Sequence, residues 1–258
     1  MKNHKLSIWM LLPVFILANL NAQNIKIHDS LAANADLMKV KLQGQGFGKM
    51  MKMKFGDYAM ESSKQSANVT TTKKKLFDSY TETKSKQKFS FVLSGKNDTA
   101  YAYGAKNIET NELRSFNLLP GIEWGTDALL EYSDVNCTFI NINQDSTDTW
   151  TLLIRNSGKQ GSSEAGAILT NGKQGLIICP VTSGADDKRS IPAQGFEFMQ
   201  DSIPVAAVQY YGGGVLGLNK NIVWIDRNAS EKIKIILAAS ATVLINNYML
   251  NVSALDSF

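Results

Sequence analysis

Histidine, cysteine and proline are all scarce in this chain of 258 residues, with 2, 2 and 5 copies. One histidine, His4, falls in a basic N-terminal stretch, so His28 is the one imidazole for the rest of the chain. A metal site built from several histidines is thereby excluded, and a histidine-dependent triad would have to use His28. Its place near the expected mature terminus marks it as an exposed bystander. Cys137 and Cys179 are too few for a disulfide framework, and the sequence leaves open whether they pair. Cys179 lies in the apolar run 176–181, where a free thiol serves as a small hydrophobe. Neither cysteine has the electropositive setting that activates a thiolate. No Pro-rich or Gly/Ser-rich linker divides the chain, which predicts one domain. Gly212-Gly213-Gly214, with Gly217, lacks the Gly-Lys-Ser/Thr ending of a phosphate loop and reads as a tight bend between strands. No nucleic-acid motif is present, and no cofactor or metal is expected.

The first 22 residues carry their own signal. Lys2, His4 and Lys5 form a basic start, residues 6–18 are apolar apart from Ser7, and Leu20-Asn21-Ala22 places a small residue at the cut. That order is a secretory signal peptide. It predicts a mature chain, residues 23–258, that is secreted or periplasmic after cleavage near Ala22. The competing reading, an uncleaved anchor, requires about 20 apolar residues, more than the stretch holds. No cysteine follows the apolar core, which disfavours a lipid-anchored form.

Charge is nearly balanced but unevenly placed. Removing Lys2 and Lys5 from the 27 bases leaves 25 against 23 acids, a net +2. Residues 39–88 hold 12 lysines and 4 acids, whereas residues 89–258 hold 12 bases and 17 acids. A Lys-rich third suits an anionic lipid or an envelope polymer; the same lysines also keep sheet edges from pairing with other chains.

Period-two alternation predicts about a dozen strands. Met38, Val40 and Leu42 alternate with Lys39 and Lys41. Phe47, Met51, Met53 and Phe55 share a face opposite Lys52 and Lys54. Hairpins are expected at 95–98, at Asn171-Gly172 and at Asp201-Ser202. Residues 145–148 read as a turn, and 158–166 (GKQGSSEAG) as a long loop. The carboxylates Glu123, Asp127, Glu131, Asp134, Asp145 and Asp148 would permit acid–base hydrolysis of a glycoside if two faced one cleft; on strands and loops they read as solvated charges. Asp186-Asp187-Lys188-Arg189 reads as an exposed charged loop.

One helix stands against this strand pattern. Asn228 and Glu231 have capping-box spacing, and a helix is predicted over about 229–247. From Ile233 it is apolar or small on every face, broken by Lys234, Ser240 and Thr242. A helix without a polar face must be buried on all sides. The expected fold is therefore mainly β: a roughly 12-stranded barrel or nearly closed sheet around one buried C-terminal hydrophobic helix.

Residues 221–250, NIVWIDRNASEKIKIILAASATVLINNYML, resemble the C-terminal end of the tubby-like superfamily, which includes the phospholipid scramblases and the LURP-one-related plant proteins. The resemblance implies a strand at 222–225, a turn at Asp226 and a helix from Lys232 to Ile245 threaded through a β barrel. Scramblase-like proteins carry an acidic cluster before this helix that is proposed to bind calcium. Only Asp226 stands there in this chain, so calcium is not carried over. Tubby-like proteins hold phosphoinositides through basic residues on barrel strands; Lys39, Lys41, Lys52 and Lys54 have a similar Lys-x-Lys spacing and are the candidate ligand-binding residues. The expected function is that of a non-enzymatic binding module of the cell envelope, for lipid or another anionic ligand. The alternative is a structural or protein-interaction component of the envelope.

The leader makes a direct prediction. Mass spectrometry of protein from the exported fraction should find the mature N-terminus near Gln23, and retention of residues 1–18 in a membrane fraction would contradict it.

Overall fold

The computed structural model describes residues 24–44, 46–75, 80–113, 116–119, 122–124, 128–159, 162–183, 192–212 and 220–255. The expected leader, Asp127, the charged stretch 186–189 and Gly213, Gly214 and Gly217 lie outside the described residues, as does the side chain of Glu123.

Alternation builds long antiparallel hairpins. Strands β6 (Tyr80–Ser94) and β7 (Thr99–Leu113) run in unbroken register from Ser94↔Thr99 to Tyr80↔Leu113, and Gly95 N–H donates to Asp98 O at 2.8 Å across their turn. Strands β12 (Ser162–Thr170) and β13 (Gly175–Thr182) meet at Asn171-Gly172, where Gly172 has φ of 81°. Strands β14 (Gln194–Gln200) and β15 (Ile203–Tyr211) meet at Asp201 and Ser202, with φ of 49° and 65°. Two successive left-handed residues give the turn a twist that matches its strands.

Two expectations are corrected here. The turn placed at 145–148 lies two residues earlier: Asn143 and Gln144 have φ of 50° and 64° and join β10 (Ala128–Ile142) to β11 (Asp145–Lys159). Asn tolerates the left-handed region, and Asn143 also braces the neighbouring hairpin by accepting from Thr99 N–H at 2.9 Å. Of the loop expected at 158–166, residues 158–159 and 162–166 are instead paired strand, with Lys159↔Ser162 through Arg155↔Gly166 in register, and residues 160 and 161 lie outside the described residues. Ladder pairing overrides the weak local preference of Gly and Ser.

The pairing path runs β1 (Ala35–Lys39), β16 (Ile222–Asp226), β15, β14, β13, β12, β11, β10, β7, β6, β4 (Tyr58–Gln65), β3 (Lys52–Phe55), β2 (Lys41–Gln43), with β5 (Val69–Lys75) paired to β6 off the path. Its first and last strands are one extended segment interrupted only by Val40, whose N–H donates to Asn221 O at 2.9 Å. Thirteen strands on the path thus become twelve around a nearly closed sheet. A small separate sheet pairs β8 (Phe116–Leu119) with β9 (Ile122–Trp124).

The helix α2 (Glu231–Leu255) packs against this sheet and runs eight residues beyond the expected end at 247. Every residue from Ile235 to Asn247 is buried. Ser240 and Thr242 need nothing from the barrel, because their hydroxyls donate to Ile236 O and Ala238 O, both at 2.9 Å, within the helix. The cap differs from the expected Asn228–Glu231 box. Asp226 Oδ1 accepts from Asn228 N–H at 2.9 Å, and Ser230 Oγ accepts from Ile233 N–H at 3.3 Å instead. Asp226 engages Asn228 first, so Ser230 becomes the cap. Around α2, Trp150, Leu152 and Ile154 of β11, Phe91 and Leu93 of β6, and Phe55 of β3 complete one core.

A second, smaller cluster lies outside the barrel wall. Residues 24–34, including α1 (Asp29–Asn34), cover Ile222 and Trp224 of β16 with Ile25 and Leu31. Gln209 Oε1 accepts from Ile25 N–H at 2.9 Å, and Glu197 Oε1 accepts from His28 N–H at 2.6 Å. His28 is exposed as expected, yet its segment is docked on the wall and its Nδ1 caps α1.

The threaded helix sets the stability prediction. Leu237 is 1 % exposed, and Leu237→Asp would bury a charge without a counter-ion. The cost is several kcal/mol, comparable with the about 5–15 kcal/mol that holds a whole domain folded. Circular dichroism and size-exclusion chromatography should show unfolded or aggregated protein. Ending the chain before residue 228 should do the same, since the barrel then loses its filling.

Candidate functional site

Three surfaces merit chemical reading: the outer basic face, the outer apolar face and the interior beyond the apolar core.

The four predicted lysines are brought together. Met38, Val40 and Leu42 turn inward onto the core, so Lys39 and Lys41 project from the outer face. Across the ladder Lys41 stands directly opposite Lys54, and Gln43 opposite Lys52. All four lysines are exposed, and none forms an ion pair among the described residues. Like charges placed opposite one another destabilise a sheet by some tenths of a kcal/mol. Lys220, which sequence reasoning missed, joins them. Burial, and then the charge of Lys39, hold its ammonium below the ordinary lysine value, and its Nζ donates to Asn24 Oδ1 at 2.8 Å. No run or spacing marks Lys220; only the pairing of β1 with β16 carries it to Lys39. Of the expected Phe47 face, Met53 and Phe55 are buried and Met51 half-buried, whereas Phe47 is fully exposed in a turn before β3.

The opposite side of the barrel is apolar. Tyr103 stands opposite Phe139, and the row Leu153, Ile168, Ile177 crosses β11 to β13 in direct register. All five are exposed. Cys137 joins the row opposite Leu153. Cys137 and Cys179 are free and half-buried. They lie on β10 and β13, three strand spacings or about 14 Å apart, beyond the reach of a disulfide.

The interior changes character along the strands. Inward positions of β6 read Leu93, Phe91, Phe89, then Gln87, Ser85, Thr83 and Thr81; those of β10 read Ile142, Ile140, then Thr138, Asn136 and Asp134. The switch coincides with Asn246 and Asn247 on α2, and a cavity of about 560 Å³ opens there. Phe47, Gly48 and Lys49 and residues 65–68 form part of its wall.

Asp134 is corrected from a solvated charge to a buried one. It is 1 % exposed and pairs with Lys106 Nζ at 3.2 Å. Burial pushes the Lys106 ammonium below its ordinary value, against the opposing pull of Asp134. Burial also raises the neighbouring Tyr132 phenol, with Asp134 adding to the effect. Asp148 is likewise not a free surface charge: Lys232 of α2 meets it at 2.6 Å and holds its carboxyl below the usual range. Glu131 and Asp145 are exposed. The Thr147 hydroxyl and N–H hold Asp145 low by hydrogen bonds. Among the described residues no group of three or more His, Cys, Asp or Glu is placed to hold a metal ion. Gly212 occupies a bend with φ of 68°, and a Cβ there would meet Pro192 O at 2.6 Å, as a close backbone approach requires.

Compared with protein-family models, curated proteins and solved structures, the chain has no match.

The buried ion pair can be tested by a double-mutant cycle. Lys106→Met removes an ion-pair partner of a buried carboxylate and should lower unfolding free energy by about 3–5 kcal/mol. Adding Asp134→Leu should recover most of that loss, measured by urea titration.

Proposed function

We propose that the protein is an exported, non-enzymatic binding module of the cell envelope that holds an anionic ligand on the outer basic face. The observation that carries this reading is the convergence of Lys39, Lys41, Lys52 and Lys54 across the segment that closes the barrel. Four unpaired charges, two of them directly opposite, lower their mutual repulsion when an anion neutralises them. A flat, extended, exposed surface suits the head groups of an anionic lipid leaflet or an anionic envelope polymer. The resemblance to the tubby-like superfamily belongs to the same proposal, and a β sheet wound around a C-terminal helix supports it.

A second reading, a protein-interaction component, is favoured by the apolar row Leu153, Ile168 and Ile177 with Tyr103 and Phe139. Around the twelve-strand circuit β11 lies six strands from the closing segment, so the two faces point in opposite directions. One flat surface cannot touch both.

Vesicle co-sedimentation separates the readings. Each lysine near an anionic leaflet contributes about 1 kcal/mol, so changing all four to Gln should weaken binding about 1000-fold. Thermal stability should hardly change, because exposed charges contribute little to folding. Binding by the native protein should also fall as salt shortens the screening length. Equal binding by the variant would rule out the basic face. Loss of self-association or partner binding only after Ile168→Lys would favour the second reading.

A further inference from the structure

The cavity where the core ends has a chemistry of its own. Its volume of about 560 Å³ falls in the range of small-molecule sites, about 300–1,000 Å³. A simple barrel core would continue apolar to the end of its strands; here carboxamides and hydroxyls replace it. Asn136 and Asn247 are 2 % exposed, and Asn246 is buried beside them. Gln87 and Asn68 add two more carboxamides, and Ser66 and Ser85 add hydroxyls.

Among the described residues that line the cavity, one buried side chain is left out of the hydrogen-bond inventory. Asn136 Oδ1 accepts from Thr138 at 2.9 Å, Gln87 Nε2 donates to Ser66 O at 3.4 Å, and the Ser85 hydroxyl donates to Asn68 Oδ1. Asn247, by contrast, has no hydrogen-bond partner for either Nδ2 or Oδ1. A buried polar group left unpartnered is rare and costly in a folded protein. Its neighbour Tyr248 shows what pairing looks like here, donating to Asn156 Oδ1 at 3.1 Å. An unpartnered carboxamide at the wall of a polar cavity marks a position that a ligand completes.

The chemistry of the wall narrows the ligand. Lys106 and the exposed Lys49 also line the cavity; Asp134 balances the charge of Lys106 at 3.2 Å, so the buried part of the wall carries no excess charge to select an anion. An acyl chain would leave the carboxamides unsatisfied. A carboxamide both donates and accepts, as does a hydroxyl; a ligand hydroxyl matches both roles through a single atom. Phe89 in the wall and the fully exposed Phe47 at the rim offer apolar faces for the C–H side of a ring.

We infer that the polar compartment at the Asn246–Asn247 end of α2 binds a neutral, hydroxyl-rich ligand, a saccharide unit, with Asn247 as the group that the ligand completes. This site is separate from the outer basic face and does not depend on it.

Saturation-transfer NMR and calorimetry on the purified protein test the inference. The probes are glucose, galactose, N-acetylglucosamine, maltose and maltoheptaose, with octanoate and inorganic phosphate as contrasting chemistries. At least one saccharide should bind. A free sugar as the natural ligand predicts equal or better binding of the monosaccharide, whereas a polysaccharide chain end predicts better binding of the oligomer. Asn247→Leu should weaken binding about tenfold or more, the loss of one well-made hydrogen-bonded group. Its melting temperature should be unchanged or higher, because no hydrogen bond of the free protein is lost. Gln87→Leu, at a half-buried wall position, provides a second variant with the same expected loss of affinity. The inference is overturned if octanoate or phosphate occupies the cavity instead. It is also overturned if no saccharide binds, which would make the compartment a water-filled one, or if both variants bind as the native protein does.

Discussion

A helix that is apolar on every side imposes the central constraint on this molecule. Residues 235–245 of α2 have no face that water can solvate without cost, so the sheet must surround them. A flat sheet covers one side of a helix; only a sheet curled nearly into a barrel covers all sides. The closing segment 35–43 is where that curl is completed, pairing with β16 through its first half and with β3 through its second. Short polar interruptions are tolerated because Ser240 and Thr242 bond back to the helix's own carbonyls. The wall therefore needs only apolar side chains along this stretch, and β3, β6, β10 and β11 supply them.

The same constraint explains why the interior is zoned. Strands β6, β7, β10 and β11 are each 15 residues long, about 50 Å at 3.3 Å per residue. The all-apolar part of the helix, 11 residues at 1.5 Å of rise, covers about 16 Å. Strands so much longer than the apolar rod have inward positions with nothing apolar to meet. Those positions are Gln87, Ser85, Asn136 and Asp134, and Asn246 and Asn247 mark the boundary on the helix. The buried Lys106–Asp134 pair lies in this zone, with Lys106 at the cavity wall and Asp134 1 % exposed.

Outside, the barrel divides by sign and polarity. Lysines gather at the closing segment, and an apolar row crosses β11 to β13 on the far side. Closure of the sheet turns a linear charge gradient along the chain into two faces that point apart. The N-terminal segment 24–34 covers a third outer region through Ile25 and Leu31, which shields Ile222 and Trp224 of β16 from water.

The sequence by itself determined the strand-and-helix content, the hairpins at 95–98, 171–172 and 201–202, and the burial of the helix. These rest on local spacing: period two, turn residues that accept left-handed backbone, and an apolar run without a polar face. It also placed Lys39 with Lys41 and Lys52 with Lys54 on shared faces. The polar switch was written there too, in Thr81-Thr83-Ser85-Gln87 ahead of Phe89 and in Asp134-Asn136-Thr138 ahead of Ile140. Alternation alone does not say which parity faces inward when both are polar, so Asp134 read as a surface charge. Tertiary structure decided the rest. Register set Lys41 opposite Lys54, extended Gly158 and Gly166 into a ladder, brought Lys220 to Lys39 and set Lys106 against Asp134. Those pairs are distant in sequence and carry no local pattern; they exist because a sheet that must enclose a helix fixes which strands become neighbours.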